Sequence, residues 1–486
     1  MTIAQLATAC GASLRGDGTA VAVGLTHRSQ DVRPGYVFAA LPGERRHGVE
    51  FVAEVRSRGA VAVLSDRDPG AGVPWLATTA PRHATALAAW ALAGHPERKL
   101  RLIGVTGTNG KSTVVDLIGR IARAAGERVG VFGTLLYELP DRSERAARTT
   151  PEAPDLAPLL AELAAAGGTL AVMEVSSHAI MLDRVAGLPF DVAVWTNLTR
   201  DHLDFHGTIE AYFAAKRRLV EHLRHDPPGR RVIGADDAMM ARLLAEPRAG
   251  DLTFGLGAEC AVTARDARLS IDGTLFTLVT PAGEAAVELP LVGAHNLRNA
   301  LAAAGAAVAL ELPLAAVVTG LQAAKPVPGR LEPVAAGPSL AVFVDYAHTP
   351  DALEQVLGAL RGVSLRRLIC VFGCGGDRDP GKRAPMGEVV GRLADVPIVT
   401  SDNPRSEDPL AIIAAVMEGV RASGNPRALT IPDRREAIAA ALAVADDRSV
   451  VIIAGKGHET EQIFADRTVP FDDREVVREL ARRRRG

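Results

Sequence analysis

Apolar and polar positions follow each other differently in three successive stretches of the chain. In residues 1–98, short apolar runs such as YVFAAL and GAVAVLS precede an alanine-rich helical stretch that ends at Gly94. Short strands next to a helix of this kind indicate a small α/β unit. We therefore predict a first domain over residues 1–98.

The second stretch, residues 99–327, alternates strands with helices. The run KLRLIGVTG predicts a strand over residues 102–105, and the runs TLAVMEV and DVAVWTN predict two more. Strands that alternate with helices favour a largely parallel sheet, here of the P-loop type. Between residues 261 and 292 the apolar period changes to two, and LSIDGTLFTLV predicts a β-hairpin inserted in this second domain.

The third stretch, residues 328–486, repeats the alternation with the apolar runs LAVFVDY, RRLICVFG, VPIVTSD and SVVIIAGKG. Helical patterns separate these runs, which predicts a Rossmann-like, doubly wound sheet. The predicted fold class is therefore α/β with three domains: a small N-terminal one, a central one with a β insertion, and a C-terminal one.

Charge and cysteine content narrow the classes of partner. The 486 residues contain 55 Lys and Arg against 57 Asp and Glu, a formal net charge of -2. This balance argues against nucleic acid or an anionic membrane as the partner and favours small molecules. The four cysteines form no CxxC pair, and the chain shows neither a signal-peptide pattern nor a long apolar run. We expect a cytoplasmic protein.

The segment GVTGTNGKST, residues 104–113, follows an apolar strand and opens an amphipathic helix. This setting is typical of a phosphate-binding loop, in which glycines let backbone N–H groups approach phosphate oxygens and a lysine adds charge. Val105 stands where the strict Walker pattern has glycine, so the loop is a variant; a plain glycine-rich connection is the alternative. We predict nucleotide contacts from Gly107, Thr108, Asn109, Gly110, Lys111, Ser112 and Thr113, with Ser112 also reaching Mg²⁺.

Two further strand ends and one lysine point to the same site. MEVSSH places Glu174 after one predicted strand, and TNLTRDHLDFHG places His202 after the next; both suit a magnesium site at the carboxyl edge of a sheet. Lys216 lies on the apolar stripe of a predicted helix, which would lower the pKa of its amine. A neutral amine can take up carbon dioxide and become a carbamate ligand. The alternative is a lysine whose end reaches solvent.

Together these motifs resemble the Mur ligases, ATP-dependent amide-forming enzymes of cell-wall precursor synthesis. The motifs GTNGKS, EVSSH, TNLTRDHLDFHG, GAHNLRNALAA, PGRLE and DYAHTP stand in the family's order over nearly the whole chain. The resemblance implies ATP and Mg²⁺ as cofactors, catalytic roles for Lys111, Lys216, Glu174 and His202, and a carbamylated Lys216 as a metal ligand. It also implies further nucleotide contacts from Asn296, Asn299, Arg330 and Asp345.

The acceptor side is similar to the members that add the third amino acid to UDP-N-acetylmuramoyl-L-alanyl-D-glutamate. The similarity implies contacts to that substrate from Ser29, Thr149, Thr150, Ser176 and Arg184. Three positions depart from the family pattern: Leu182 stands where many relatives have Gln, His47 where many have Asp, and HRSQD surrounds Ser29 instead of DSR. The contacts at these three points are therefore open.

The segment SDNPR, residues 401–405, combines an acid, an amide, a proline and a guanidinium. Asn-Pro commonly opens a turn, so a purely structural bend is one interpretation. In a doubly wound sheet, however, this segment, CGGDRDPGKR and GKGHE all follow strands at one edge, where ligands bind. Acids next to arginines suit a molecule with both ammonium and carboxylate groups. We predict that its contacts are Arg378, Asp402, Asn403, Pro404, Arg405, Gly455 and Glu459.

In the Mur ligases the DNPR pattern is the one that accompanies meso-diaminopimelate. The resemblance thus implies an ATP-dependent ligase that joins this amino acid to the UDP-muramoyl dipeptide through an acyl phosphate. We expect a monomer whose partners are these small molecules. The alternatives are an L-lysine-adding or folylpolyglutamate-synthetase-like ligase, a P-loop NTPase switch, and a module that only binds the precursor. His206 and His348 are candidates for a general base.

Overall fold

The computed structural model describes residues 1–43, 46–70, 72–336, 340–364 and 366–483. The chain divides into two compact units. The first unit contains residues 1–264, 278–285 and 299–321, and the second contains residues 265–277, 286–298 and those from 322 onward. This division into two units does not test the predicted boundaries at residues 98 and 327, which stay a prediction. The first unit itself contains two separate large sheets.

The N-terminal part of the first unit has a five-stranded sheet with the order β1-β5-β4-β3-β2. Its strands are β1 (Ser13–Arg15), β2 (Gly24–Thr26), β3 (Tyr36–Ala39), β4 (Ala62–Ser65) and β5 (Trp75–Ala77). The pairs from β2 to β5 are parallel, and β1 is antiparallel to β5. The β4 strand, AVLS, is buried at every position, which explains its unbroken apolar run.

The second sheet of this unit has eight strands in the order β13-β12-β11-β6-β10-β7-β8-β9. The strands are β6 (Arg101–Thr106), β7 (Val129–Phe132), β8 (Leu136–Leu139), β9 (Arg142–Arg145), β10 (Leu170–Glu174), β11 (Val192–Trp195), β12 (Arg230–Gly234) and β13 (Leu252–Phe254). Pairing is parallel from β13 to β7 and antiparallel from β7 to β9. The strand that precedes the phosphate-loop motif, β6, therefore lies between the two strands that carry Glu174 and Asn197 at their ends.

Helices cover both sheets. They are α1 (Ile3–Ala9), α2 (Val52–Ser57), α3 (Pro81–Leu92), α4 (Lys111–Ala124), α5 (Ala153–Ala165), α6 (Ser177–Met181), α7 (Leu203–His206), α8 (Ile209–Arg217), α9 (Ala238–Ala241), α10 (Ala294–Ala309) and α11 (Leu314–Gln322). The helix predicted to be amphipathic after the phosphate-loop motif is α4, and its apolar face is buried at Val114, Ile118 and Ile121. The α8 helix ends at Arg217, and the chain continues as a 3₁₀ turn over Arg218–His222. The observed helix is therefore shorter than its apolar pattern predicts.

The predicted β insertion is a three-stranded sheet with the order β14-β15-β16. Its strands are β14 (Thr263–Ser270), β15 (Gly273–Thr280) and β16 (Gly283–Leu289). The first connection falls at Ile271 and Asp272, where the alternating pattern predicted the turn. The burial of β15 alternates between its neighbouring positions, as a sheet with one covered face requires.

The second unit is built on a six-stranded sheet with the order β17-β18-β22-β19-β20-β21. Its strands are β17 (Glu332–Pro333), β18 (Ala341–Asp345), β19 (Arg367–Phe372), β20 (Val396–Val399), β21 (Leu429–Thr430) and β22 (Ser449–Ala454). All neighbours from β18 to β21 are parallel, and β17 is antiparallel to β18. The carboxyl ends of β18, β22, β19 and β20 consequently meet along one edge.

The helices of this sheet are α12 (Pro350–Val363), α13 (Arg383–Leu393), α14 (Pro409–Ala422), α15 (Arg434–Val444) and α16 (Asp473–Arg483). One buried cluster lies under α12, α13 and α14, and a second lies under α15 and α16. A short hairpin of β23 (Glu461–Ile463) and β24 (Thr468–Pro470) follows β22 and is absent from the sequence prediction.

These sheets confirm the predicted α/β class, with three largely parallel sheets and a β insertion. Across the part of the chain that the structure describes, no helix combines the length and the apolar character needed to cross a bilayer.

Candidate active site

The phosphate-loop motif leaves β6 at Thr106 and enters α4 at Lys111. Gly107 has φ +152°, and a Cβ there would stand 1.9 Å from Thr196 Oγ1. Gly110 has φ +84° and begins α4, and a Cβ there would stand 2.3 Å from Asn299 Oδ1. Both positions thus require glycine, and the loop brings its backbone close to the ends of the neighbouring strand and helix.

Polar groups after β11 hold this loop in place. Asn109 N donates to Asn197 Oδ1 at 2.9 Å, and Asn197 Nδ2 donates back to Asn109 O at 3.0 Å. Thr196 Oγ1 donates to the same carbonyl at 2.8 Å, and Thr108 N donates to Asn197 O at 2.9 Å. The loop is therefore held by reciprocal hydrogen bonds to a second strand end.

Two lysines share one acceptor inside the loop. Lys111 Nζ donates to Gly107 O at 2.9 Å and to Thr108 O at 2.8 Å, and Lys216 Nζ also donates to Gly107 O at 2.8 Å. Lys216 is 1% exposed, and its ammonium lies 4.5 Å from the Tyr212 ring centroid. Burial, and then the Lys111 charge, hold the pKa of Lys216 well below its usual value. Lys216 is thus a buried amine next to the phosphate loop, which the apolar stripe of α8 predicted.

Glu174, at the end of β10, is 1% exposed and collects several donors. Its Oε1 accepts from Ser112 Oγ at 2.8 Å, from Thr134 N at 2.8 Å and from Thr134 Oγ1 at 3.0 Å. The structure therefore brings together two of the four predicted magnesium ligands, Ser112 and Glu174. Thr134 is a residue that the sequence analysis missed, since a lone threonine after β7 has no distinguishing pattern.

His202 lies in a different setting. Its side chain is 48% exposed, its φ is +52°, and its Nε2 lies 3.4 Å from Asp201 Oδ2. Its ring centroid is 5.0 Å from that of His178. Within the described ranges, no group of three or more His, Cys, Asp or Glu side chains is arranged to hold a metal. The structure places His202 beside other imidazoles, at the edge of this region.

His206 is the most perturbed of these imidazoles. Its Nε2 lies 2.9 Å from Ser177 Oγ, and burial together with the charge of neighbouring His178 lowers the pKa of His206 to about 4. Burial also lowers the pKa of His178. A histidine with so low a pKa is neutral near pH 7, so it can accept a proton only weakly.

The predicted muramoyl-peptide contacts form one connected group. Thr150 Oγ1 donates to Glu174 O at 2.9 Å and accepts from Ser176 N at 3.1 Å, and Arg184 Nη1 donates to Thr150 O at 3.3 Å. Thr149 Oγ1 accepts from Thr134 at 3.2 Å. This group therefore lies directly beside the Glu174 carboxylate.

Three arginines surround the buried Glu152, which follows the TTP motif. Arg184 Nε lies 2.9 Å from Glu152 Oε1, Arg148 Nη1 lies 3.8 Å from it, and Arg82 Nη1 lies 3.6 Å from Glu152 Oε2. Three cations around one carboxylate leave a net positive charge. The sequence analysis missed both Arg82, which comes from α3, far away in sequence, and Arg148, which directly precedes the TTP motif.

A cavity of about 540 Å³ lies between β2, α3 and α5. Arg28 and Asp31 line it, and Arg28 Nη2 lies 2.7 Å from Asp155 Oδ1. Ser29 begins the 3₁₀ turn between these two lining residues. His47, one of the departures, caps the Gly48–Phe51 turn through Nδ1 and lies 2.9 Å from Asp66 Oδ1 through Nε2, so its ring has a structural role. Leu182, another of the three departures, is the C-cap residue of α6.

Of the predicted nucleotide residues beyond the loop, Asn296, Asn299 and Asp345 are buried, whereas Arg330 is exposed. Asn296 Nδ2 donates to Val292 O at 2.9 Å, and Asn299 contacts the Gly110 position described above. Asp345, at the end of β18, accepts from Leu331 N at 2.6 Å and from Ala347 N at 2.7 Å, and burial raises its pKa. The Arg330 guanidinium lies 5.0 Å from the Tyr346 ring centroid.

The SDNPR segment follows β20 and lies against the loop after β19. Gly376 N donates to Asn403 O at 2.9 Å, and Arg405 Nη1 donates to Gly376 O at 2.7 Å. A Cβ on Gly376 would stand 2.0 Å from Pro404 O. Arg405 has φ +52°, a strained conformation for a long side chain, and its N–H donates to Ile463 O at 3.0 Å. The bend is therefore clamped from two sides.

Four charged or polar groups meet at this edge of the sheet. Asn403 Nδ2 donates to Glu459 Oε2 at 2.8 Å, and a Cβ on Gly455 would stand 2.5 Å from Asp402 Oδ2. Within the described ranges, no hydrogen bond reaches the Asp402 carboxylate. Arg378 is exposed, and its Nη1 lies 3.5 Å from Asp377 O. Burial raises the pKa of Tyr346, and the charges of Glu459, Arg330, Asp402 and Arg378 also act on that pKa. Arg378 therefore lies at the exposed rim of this group.

The sequence analysis missed three groups that support these loops. Gln462 Nε2 donates to Asp402 O at 2.8 Å, Ile463 N donates to Asn403 Oδ1 at 3.1 Å, and Lys456 Nζ donates to Asn403 Oδ1 at 3.0 Å. Gln462 and Ile463 lie on β23, whose three residues are too short to give a periodic signal. Lys456 lies inside the GKGHE motif, so the motif itself was the available signal.

A glycine-rich loop between a central parallel strand and a helix, together with polar loops at the carboxyl ends of another parallel sheet, is typical of α/β enzymes that bind nucleotides. Residues 105–307 match the family model described as Mur ligase middle domain, and residues 329–457 match Mur ligase, glutamate ligase domain. The chain belongs to the Mur ligase family of ligases.

A relative from Solibacter usitatus named UDP-N-acetylmuramoyl-L-alanyl-D-glutamate--2,6-diaminopimelate ligase is 44% identical, over 94% of this chain and 93% of its own length. A solved structure of a ligase with the same name is 33% identical with a TM-score of 0.73, covering 100% of this chain and 99% of that one. MurF ligase from Thermotoga maritima, solved in complex with ADP, is 19% identical with a TM-score of 0.65, covering 95% and 98%, and shows the same fold.

Proposed function

We propose that this chain is an ATP-dependent ligase that joins meso-diaminopimelate to UDP-N-acetylmuramoyl-L-alanyl-D-glutamate. The observation that carries the proposal is the carboxyl edge of the six-stranded sheet, where the loops that carry Asp402, Arg405 and Glu459 contact one another. The name shared by the relatives, which cover nearly the whole chain, supports the same substrates.

The nucleotide phosphates bind the loop after β6. The backbone N–H groups at the start of α4 and the helix dipole favour an anion there, and Lys111 adds a positive charge. Lys111 now donates to the carbonyls of Gly107 and Thr108, so its ammonium is already held at the loop. The ADP complex of the Thermotoga maritima relative agrees with a nucleotide on this fold.

The donor set next to the loop fits Mg²⁺. Ser112 Oγ and Glu174 Oε1 are oxygen ligands 2.8 Å apart, and a hard cation prefers oxygen. When bound with ATP, Mg²⁺ supplies positive charge to the phosphates. The depressed pKa of Lys216 keeps its amine available to react with carbon dioxide, which forms a carbamate and releases one proton. The carbamate would place a carboxylate-like group at this buried position.

The acceptor substrate is an anion, and the first unit has cations where the family motif predicts its contacts. Arg82, Arg148 and Arg184 surround Glu152 beside Thr150. These guanidinium groups suit the carboxylate and phosphate groups of the UDP-muramoyl dipeptide. The cavity beside Ser29 is of a size that suits part of a nucleotide.

The amino-acid substrate binds at the carboxyl edge of the six-stranded sheet. Asp402 and Glu459 attract the ammonium group of the distal centre of diaminopimelate, and Arg405 and Arg378 attract its carboxylate. L-lysine has an ammonium at that end but no carboxylate. The guanidinium can therefore bind the distal carboxylate of meso-diaminopimelate through two hydrogen bonds. With L-lysine bound, the same guanidinium would be desolvated and would have no anionic partner.

The chemistry follows from the charges. The γ-carboxylate of the D-glutamyl residue attacks the γ-phosphorus of ATP, and the bond to the bridging oxygen breaks, giving an acyl phosphate and ADP. Lys111 stabilises the negative charge on the transferring phosphoryl group. The neutral amine of diaminopimelate then attacks the acyl carbon, phosphate leaves, and the amine loses a proton as the amide forms. Holding both substrates in position supplies much of the rate.

The test measures ADP release by the purified protein with ATP in four mixtures. They contain both the UDP-muramoyl dipeptide and meso-diaminopimelate, the dipeptide alone, the amino acid alone, or neither. Both substrates together should give ADP, and omission of either one should stop its release. Phosphate release without any amino acid would instead indicate a simple NTPase switch, and binding of the dipeptide without any ADP would indicate a binding module.

A fifth mixture replaces meso-diaminopimelate with L-lysine. We expect a rate at least about tenfold lower at equal subsaturating concentration, because one charged hydrogen bond lost is worth roughly that factor. Equal rates with the two amino acids would contradict the role given to Arg405. Activity with folate and glutamate would favour the folylpolyglutamate-synthetase alternative.

A further inference from the structure

Lys456 is a fully buried lysine at the carboxyl edge of the six-stranded sheet, where we propose that the amino acid binds. It follows β22 by two residues and is 0% exposed. Its Nζ lies 3.0 Å from Asn403 Oδ1, 3.1 Å from Glu459 Oε2 and 3.9 Å from Asp402 Oδ1. A buried ammonium is costly without compensation, and here each neighbour is an oxygen of the proposed recognition site.

Lys456 helps to orient the Asn403 amide. Asn403 Oδ1 accepts from both Lys456 Nζ and Ile463 N, so the other end of the amide must point away from them. Asn403 Nδ2 consequently donates to Glu459 Oε2 at 2.8 Å, the same oxygen that Lys456 contacts. The lysine thus connects the loop after β20 with the loop after β22.

Lys456 also changes how much negative charge the site presents. Asp402 and Glu459 supply two carboxylates near the proposed ammonium position, and the Lys456 charge offsets one of them. Arg434 lies under the same strand end, but its charge is balanced by Asp473. Arg434 Nη2 lies 2.7 Å from Asp473 Oδ2, and both side chains are 0% exposed. The remaining charge therefore suits a ligand end with one ammonium, alongside the carboxylate that Arg405 attracts.

We propose that Lys456 is a positioning residue that sets the preference of this site for a zwitterionic amino-acid end over a purely cationic one. The inference rests on the proposed function of the edge. Lys456 does not contact the substrate itself, since it is fully buried. It acts by fixing Asn403 and Glu459 and by cancelling one carboxylate charge, so that a ligand with an ammonium and no carboxylate gains no advantage.

The experiment compares Lys456→Met and Lys456→Gln with wild type in steady-state ADP release. Met removes both the hydrogen bonds and the charge, whereas Gln keeps one donor and removes the charge. We expect both variants to raise the KM for meso-diaminopimelate by about 10- to 100-fold, and to lower the kcat/KM preference for it over L-lysine by about tenfold. The KM values for ATP and for the UDP-muramoyl dipeptide should stay within about twofold.

Val451→Ala is the matched control for stability. Val451 is buried in β22 on the face covered by α15 and α16, so its truncation weakens the same sheet without touching the polar cluster. We expect this variant to melt at a lower temperature and to keep the wild-type preference between the two amino acids. If Lys456→Met does not fold, Lys456→Gln decides the question.

The outcomes separate the inference from the proposed function. If wild type releases no ADP with meso-diaminopimelate, the proposed function fails. If wild type is active and either folded variant keeps the wild-type amino-acid preference, the inference about Lys456 fails. An equal loss of preference in Val451→Ala would also overturn it, because the effect would then reflect stability alone.

Discussion

The phosphate loop of the first unit and the amino-acid edge of the second unit use the same position in a parallel sheet in different ways. The phosphate loop is one continuous segment of ten residues, held by reciprocal hydrogen bonds between Asn109 and Asn197. The amino-acid edge uses side chains from three loops, held by contacts such as Arg405 to Gly376 and Asn403 to Glu459.

This difference fits the ligand that we propose for each site. Phosphate oxygens are satisfied by backbone N–H groups and one lysine, so a contiguous glycine-rich loop is sufficient. An amino-acid end needs opposite charges at separate points, and only side chains from several loops can supply them. We therefore expect substitutions in the first site to act on the chemical step and substitutions in the second to act on one substrate.

The largest effect is expected for Lys111→Met. The substitution removes the charge that stabilises the transferring phosphoryl group, so kcat should fall by about 10³-fold or more. Quenched-flow or steady-state ADP release measures the loss. Lys99→Met is the control, because Lys99 is exposed in the same unit and should leave kcat unchanged. A kcat within tenfold of wild type would contradict the phosphate role of Lys111.

Lys216→Met should combine a loss of activity with a gain of stability. The lowered pKa of Lys216 means that the folded state holds its proton less tightly than the unfolded state does. Wild-type stability therefore rises with pH from that lowered pKa up to about 10.5, and the part contributed by Lys216 is lost as the pH falls. The Met variant lacks this dependence.

The measurements for Lys216→Met are thermal melts between pH 6 and 9 and ADP release at pH 8. We expect the variant to be more stable by about 1–3 kcal/mol at the low end of the range, and kcat to fall by about 10²-fold. A variant with unchanged kcat would remove Lys216 from the active site, and parallel melting curves would refute the depressed pKa.

Arg405→Lys tests the second site with charge retained. Lysine cannot present a two-pronged guanidinium to a carboxylate, so the KM for meso-diaminopimelate should rise by about 10- to 100-fold. The KM for ATP should not change. Arg421→Lys, at an exposed position on α14, is the matched control. An Arg405→Lys variant with the wild-type KM would show that the guanidinium does not grip the substrate.

The smallest effect is expected for Gly376→Ala. Its Cβ would stand 2.0 Å from Pro404 O, so the two loops must separate, at a cost of about 1–3 kcal/mol in the free energy of unfolding. The KM for meso-diaminopimelate should rise several-fold, by less than in Arg405→Lys. Gly358→Ala on α12 meets nothing within 4 Å and should be neutral or stabilising by about 0.5–1 kcal/mol. Equal effects of the two alanines would refute the loop contact.

The sequence predicted most of the strands and the positions of the loops that follow them. Long apolar runs such as RLICVF stay visible because a strand covered on both faces buries every residue. The short hairpin of β23 and β24 was not predicted, since three residues are too few for a period. Lys216 was found because a lysine on an apolar stripe is unusual, whereas Thr134 and Arg82 look ordinary until the fold places them next to Glu174 and Glu152.

Local pattern by itself determined the fold class, the phosphate loop, the family resemblance and the composition of the recognition segment. These features depend on residues that are neighbours in sequence, where spacing fixes geometry. Only the tertiary structure decided that Lys111 and Lys216 share one carbonyl, that three arginines surround Glu152, and that Lys456 connects Asn403 with Glu459. Each of these clusters has at least one member far away in the chain, such as Lys216, Arg82 or Asn403, and its position follows from how strands are ordered in each sheet.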